Sequence, residues 1–280
     1  MSSIVQRGGA AQQRPALKER LRAWWKGVDT DVPAQRVAAA RSRLSRMQPT
    51  QSDVVEPLAL WESPAMRVAQ LAWGQGCSKP GGTEYLLDLA KPLGLDENKS
   101  VMEFGVGLGG GARAIRQAFG AWISGYEIDA DLARAARQLS VQARVEKEVD
   151  IACYSSQDFA PRDGSYDVIL STETLYQIER KEDLLIKLER GLKSRGQIVI
   201  TDFVLGPGMS ADDERLKALA PGPAVFWTPS RYTRHFRERN LDLRESEDIT
   251  ANVLRALDLD TDRRERIVTS GIPPALQQDY

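Results

Sequence analysis

The run Val101-Met102-Glu103-Phe104-Gly105-Val106-Gly107-Leu108-Gly109-Gly110-Gly111 constrains this chain more than any other segment. A short apolar stretch that breaks into closely spaced glycines reads as a buried strand, a sharp turn and the start of a helix. Glycine lets the backbone bend tightly and approach a ligand, and the first amides of the helix point at whatever sits there. Taken alone the run is ambiguous. Gly105, Gly107 and Gly110 also satisfy the G-x-G-x-x-G pattern of dinucleotide sites.

What surrounds this run is a strand–helix alternation. Strands are expected over 100–104, 122–128, 166–171 and 197–203, with a weaker one over 150–154. Helices are expected over 110–119, 130–139 and 181–192. Alternation of this kind predicts an α/β fold with a doubly wound, mostly parallel sheet and helices on both faces. Its ligand belongs at the carboxyl ends of the strands. Farther on, a Gly- and Pro-rich stretch leads to a helix over 231–238, a sixth strand over 242–247 and a partly helical tail. Upstream, helices are expected over 64–73 and 83–93, separated by the turn Lys79-Pro80-Gly81-Gly82.

The amino-terminal portion differs in character. Residues 1–50 hold 10 Lys and Arg against 3 Asp and Glu, while the whole chain has a net charge of -1. Residues 1–15 offer little apolar surface to offset ordering entropy. Leu17, Leu21, Trp24 and Trp25 mark a short basic amphipathic helix, and a second helix is expected from Pro33 towards Leu44. The division that follows is an arm and helical cap over 1–75, a ligand-binding domain over 76–255 and a tail over 256–280. The arginines of the arm are too dispersed to track phosphates, so no nucleic-acid site is expected. There is no apolar run long enough for a membrane span. One histidine and two distant cysteines exclude a metal framework, and the cysteine usage suits a reducing cytoplasm. No feature encodes an oligomeric state.

Several residues sharpen the chemistry. A carboxylate at Glu103 would repel a pyrophosphate but suits the ammonium group of S-adenosylmethionine. Glu127, closing the second strand, is placed to accept both ribose hydroxyls, and Ile128 to cover one face of an adenine. Ser171, Thr172 and Glu173 form the mouth of the fourth strand, beside the methionine portion and an acceptor. With these residues the chain resembles a class I S-adenosylmethionine-dependent methyltransferase of Rossmann-like fold over roughly residues 76–250. It is similar to the phosphoethanolamine, sterol and ubiquinone methyltransferase group. Further echoes are Pro80-Gly81-Gly82, Thr201-Asp202-Phe203 and Glu247-Asp248-Ile249-Thr250.

The resemblance implies S-adenosylmethionine as cofactor, held by Glu103, Gly105, Gly107, Gly109, Glu127, Ile128, Ser171 and Thr172, with Gln157 or Asp158 against the adenine amino group. It also shows departures. Gln177 stands where phosphoethanolamine methyltransferases have a catalytic histidine, and Thr172 where they have an arginine. An antiparallel seventh strand is not evident after residue 250. The implied activity is methyl transfer to a small-molecule or lipid-headgroup N, O or C acceptor. Glu173 and Tyr176 are the acid–base candidates. His235, on an arginine-rich helix, reads as a solvated surface residue, Trp227 as either a lid or a core anchor, and Cys77 and Cys153 as small buried residues. Two rival readings remain. One is a non-catalytic sensor of S-adenosylmethionine that uses the basic arm for docking; the other is a nicotinamide-dependent oxidoreductase.

Overall fold

A computed structural model describes residues 59–79, 81–155, 158–213, 216, 224–257 and 261–272. The basic arm, its two expected helices and Trp24 and Trp25 lie outside the described residues, and so does Gln157. From residue 59 onward a 3-10 turn precedes α1 (Pro64–Trp73), followed by α2 (Gly82–Ala90). The alternating core then runs β1 (Ser100–Phe104), α3 (Gly110–Phe119), β2 (Trp122–Glu127), α4 (Ala130–Gln142), β3 (Val149–Cys153) and β4 (Tyr166–Thr172). It continues with α5 (Lys181–Gly191) and β5 (Leu192–Thr201), and α6 (Pro229–Glu238), α7 (Thr250–Leu257) and α8 (Thr261–Thr269) complete it.

The five strands form one parallel sheet in the order β3-β2-β1-β4-β5. β1 is central, and Val101, Met102 and Phe104 are wholly buried, as a strand covered on both faces requires. Side chains alternate between two apolar layers. Val101, Ile123, Val168 and Leu170 pack beneath α2, α3 and α4. Met102, Phe104 and Ile169 pack on the opposite face with α5, Trp227 and α6. The expected doubly wound architecture is therefore present. Local signals set the helix starts: the Asp129 carboxylate accepts from the amides of Asp131 and Leu132 at the head of α4, and Thr228 caps α6 ahead of Pro229.

Four expectations are corrected. Residues 242–247 are not a strand. They are almost entirely exposed, and their charged run gives no apolar face to bury. Among the described residues nothing pairs with the outer edge of β5, so a sixth strand has no seventh to join. β5 itself ends at Thr201, leaving Asp202 and Phe203 at the sheet's mouth. His235 is buried, not solvated; it packs 5.8 Å from Trp227, and burial lowers its pKa. Trp227 anchors this core, and of the two cysteines only Cys77 is buried. Farther along, Ile267 and Ile272 join Val68, Ala72 and Trp73 of α1 in a separate apolar cluster.

At the far end of the sheet, Asp167 staples β4 to its neighbours. Its Oδ2 accepts from the Ser100 amide (2.9 Å), the Ser100 hydroxyl (2.9 Å) and Lys193 Nζ (2.6 Å). Burial raises the Asp167 pKa, but these donors outweigh it and hold the carboxyl down to about 2. A depressed carboxyl stabilises the fold above its unfolded pKa, and that stability is lost as pH falls towards 2. Asp167→Asn should cost about 1–2 kcal/mol at pH 7 and roughly a few tenths of a kcal/mol at pH 2, where the carboxyl is about half protonated. Urea unfolding at both pH values checks this, and an equal loss at both would refute the assignment.

Candidate active site

The carboxyl ends of β1 and β4 meet beside the segment from Gly76 to Lys79. β1 delivers Glu103, only 5% exposed, opposite Gly125 of β2. Glu103 Oε2 is buried without a hydrogen-bond partner. Burial raises its pKa to about 7, against the pull of Lys79 and Arg113. A buried carboxylate oxygen with no donor is costly, so this position is incomplete until a donor reaches it.

The glycine turn is held open by its neighbours. Gly105, Gly107 and Gly109 have φ of 82°, 56° and 74°, the left-handed region that favours glycine. A Cβ on Gly105 would lie 2.2 Å from Thr174 Oγ1, and one on Gly110 2.5 Å from the Gly76 carbonyl. The turn is thus wedged between the mouth of β4 and the covering segment. The Gly110 amide donates to the Gly76 carbonyl (2.9 Å) and fastens the two.

Lys79 reaches into this junction. Its Nζ donates to the carbonyls of Gly105 (3.1 Å) and Thr172 (2.8 Å) and to Thr174 Oγ1 (2.9 Å). Beside it stands Glu173, in an unusual left-handed conformation (φ 41°) for a non-glycine residue. Glu173 Oε1 accepts from Thr201 Oγ1 (2.7 Å) and Tyr85 OH (3.2 Å), and burial raises its pKa. Lys79, Tyr85, Glu103, Gly105, Thr172 and Glu173 line one cavity of about 410 Å³, a volume that includes its open mouth.

The remaining candidates fall elsewhere. Glu127 is buried, and backbone amides engage both its oxygens: Gly107 to Oε2 (2.7 Å), Ile128 (2.9 Å) and Asp129 (3.1 Å) to Oε1. Ile128 is half exposed beside it. Asp158 is exposed and bonds the Ser155 hydroxyl. Ser171 is wholly buried, its Oγ without a partner. Strand alternation turns it to the α5 face, away from Glu103 and Thr172. Tyr176 does not line the cavity either. It is buried, stacked 5.8 Å from Phe226 and edge-on to Phe203, and Gln177 donates to its hydroxyl.

Beneath these residues lies a buried ion pair, Lys181 with Asp202 (3.1 Å). Asp202 also accepts from Tyr232 OH (2.5 Å) and the Tyr176 amide (2.9 Å), and Lys181 donates to the Val225 carbonyl (2.7 Å). Lys79, Tyr85 and Arg113 were not singled out as site residues by the sequence, and Thr201 only as part of the Thr201-Asp202-Phe203 motif. The Gly-flanked turn hinted at Lys79, and no local pattern marked Tyr85 or Arg113.

Comparison with known proteins agrees with this geometry. The model of a methyltransferase domain matches residues 102–200. Phosphoethanolamine N-methyltransferase 1 of Zea mays is 23% identical over 74% of this chain and 41% of its own length. The 27-O-demethylrifamycin SV methyltransferase of Amycolatopsis mediterranei is 26% identical over 52% of this chain and 55% of its own. In structure, phosphoethanolamine N-methyltransferase 2 of Haemonchus contortus, solved with phosphomonomethylethanolamine and S-adenosylhomocysteine, superposes with a TM-score of 0.64. It is 20% identical, covering 75% of this chain and 49% of that one. The chain spans less than half the length of the first curated relatives it matches.

Proposed function

We propose, from the premise that residues 102–200 are a methyltransferase domain on the Rossmann-like fold of class I S-adenosylmethionine-dependent methyltransferases, that this chain transfers a methyl group from S-adenosylmethionine to an N, O or C atom of a small molecule. The observation that carries the proposal is Glu103, a buried carboxylate with one oxygen unpartnered at the carboxyl end of the central strand. That position asks for a cationic donor, and the cofactor's ammonium group is one. It is the wrong charge for the pyrophosphate of a dinucleotide.

The other residues fit the same ligand. Gly105, Gly107 and Gly109 let the backbone approach it. Glu127 keeps one acceptor site, on Oε2, for a ribose hydroxyl while it fixes the turn, and Ile128 offers an apolar face to the adenine. Thr172 borders the methionine portion. Asp158 follows β3 and would lie on the adenine side. When bound, the cofactor supplies an already activated methyl, so the protein's main task is alignment. Glu173 faces the acceptor side with a raised pKa, suited to holding a proton from an amine or hydroxyl. Tyr176 serves as a wall behind it.

Gln177 and Thr172 replace the histidine and arginine of the phosphoethanolamine enzymes, so that acceptor is not extended to this chain. Among the described residues no helix is long and apolar enough to cross a membrane, and no group of residues suits a metal ion. Free Cys77 and Cys153 fit a cytoplasmic setting. The domain of 76–255 is the working unit, flanked by an arm and cap over 1–75 and a tail over 256–280, and α1 packs against α8.

Calorimetric titration of S-adenosylmethionine and S-adenosylhomocysteine into wild type and Glu127→Ala tests this, followed by labelled methyl transfer to amines, phenols and lipid headgroups. Binding that weakens in Glu127→Ala, with transfer to any acceptor, is expected. A folded wild type that binds NAD and neither sulfur ligand would overturn the reading. Binding without turnover would favour the sensor.

A further inference from the structure

We propose that Lys79 is an internal competitor of the cofactor, its side-chain ammonium filling the cradle that the cofactor's own ammonium group needs. The inference rests on the cofactor proposed above and concerns how that site is opened.

A lysine ammonium has three donors and no acceptor. In this structure all three are used, on Gly105 O, Thr172 O and Thr174 Oγ1, at 2.8–3.1 Å. These acceptors come from the glycine turn after β1 and from the end and mouth of β4. Such a position, between neighbouring carboxyl ends of a parallel sheet, is where ligands of this architecture sit. The same three acceptors would satisfy the α-ammonium of an amino-acid ligand equally well.

Nearby, Glu103 Oε2 has no hydrogen bond, so Lys79 supplies charge to this carboxylate without bonding it. A ligand ammonium could do both. Two such cations cannot share one cradle, by volume and by repulsion. Lys79 therefore leaves before or as the ligand enters. The move is one of the side chain, with the preceding segment still fastened at Gly76; on the following side Gly81 has positive φ and absorbs backbone rotation at little cost.

Apparent affinity is the intrinsic affinity multiplied by the fraction of molecules with Lys79 withdrawn. Removing the competitor should raise it, but only for ligands that carry an ammonium group. The probes are S-adenosylhomocysteine and 5′-methylthioadenosine, which lacks the amino-acid end. In Lys79→Met, S-adenosylhomocysteine should bind about tenfold tighter or more, with 5′-methylthioadenosine unchanged. A second measurement uses wild type: the slowly exchanging side-chain ammonium resonance of Lys79 should vanish with S-adenosylhomocysteine and persist with 5′-methylthioadenosine. If both ligands bind but Lys79→Met leaves S-adenosylhomocysteine unchanged or weakens it, or the resonance survives its binding, Lys79 is no competitor. Neither ligand binding to either protein would instead sink the cofactor reading, and this inference with it.

Discussion

Lys181→Met should lower the unfolding free energy by about 3–5 kcal/mol, the usual cost of stranding one member of a buried ion pair. Lys181 and Asp202 have side chains 0% and 2% exposed. Burial lowers the pKa of Lys181 and raises that of Asp202, and their mutual attraction opposes each shift. Without Lys181, Asp202 keeps only the Tyr232 hydroxyl and the Tyr176 amide, and the Val225 carbonyl loses its donor. Adding Asp202→Asn to Lys181→Met should recover part of the loss, since an amide leaves no charge stranded. Urea unfolding measures both variants, and a loss below about 1 kcal/mol would mean that water reaches the pair. The functional consequence is local as well. Asp202 follows Thr201, whose hydroxyl holds Glu173, so the variant should also loosen the acceptor side of the cavity.

The second large effect is expected at Glu103. Glu103→Gln should weaken S-adenosylmethionine binding roughly 10- to 100-fold, the worth of a charge-assisted hydrogen bond. The same variant should make the free protein more stable at alkaline pH. Burial raises the Glu103 pKa to about 7 in the fold, above its unfolded value. Its contribution to stability is therefore fully present below the unfolded pKa and lost as pH rises through about 7. By pH 8 that loss is about 2–3 kcal/mol, and glutamine, which does not ionise, escapes it. Thermal unfolding of both proteins at pH 5 and pH 8, with and without ligand, separates the two effects. Equal ligand affinity in the variant would remove Glu103 from the site. Stability without binding is the trade that functional positions commonly show.

Much of the fold was legible because its signals are local. The burial of β1, the boundaries of α3 and the start of α4 at Ala130 follow from apolar spacing and glycine. Each of these acts within a few residues. The segment 242–247 failed for the opposite reason. A strand exists only through its neighbour, and no partner strand is present among the described residues. His235 misled similarly: the arginines around it suggested solvent, whereas the helix turns that one face onto Trp227.

Of the candidate site, the sequence by itself determined the glycine turn, the acid at Glu103 and the acid at Glu127. All three sit at fixed offsets from strand ends, and strand geometry carries them to the carboxyl end of the sheet. It could not separate Thr172 from Ser171 as cavity-lining residues, because the pleat sends neighbours to opposite layers and only the packed helices say which layer holds the ligand. Tertiary structure alone decided that Lys79 meets Thr172 and Thr174 across 93 and 95 residues, and that Tyr85 meets Glu173 across 88. It alone decided that Lys181 is buried against Asp202 and that α8 closes on α1. Such pairings depend on which strands lie side by side, and parallel neighbours are joined by long crossovers. Local spacing encodes each element. The charges that those crossovers bring together are a property of the sheet order.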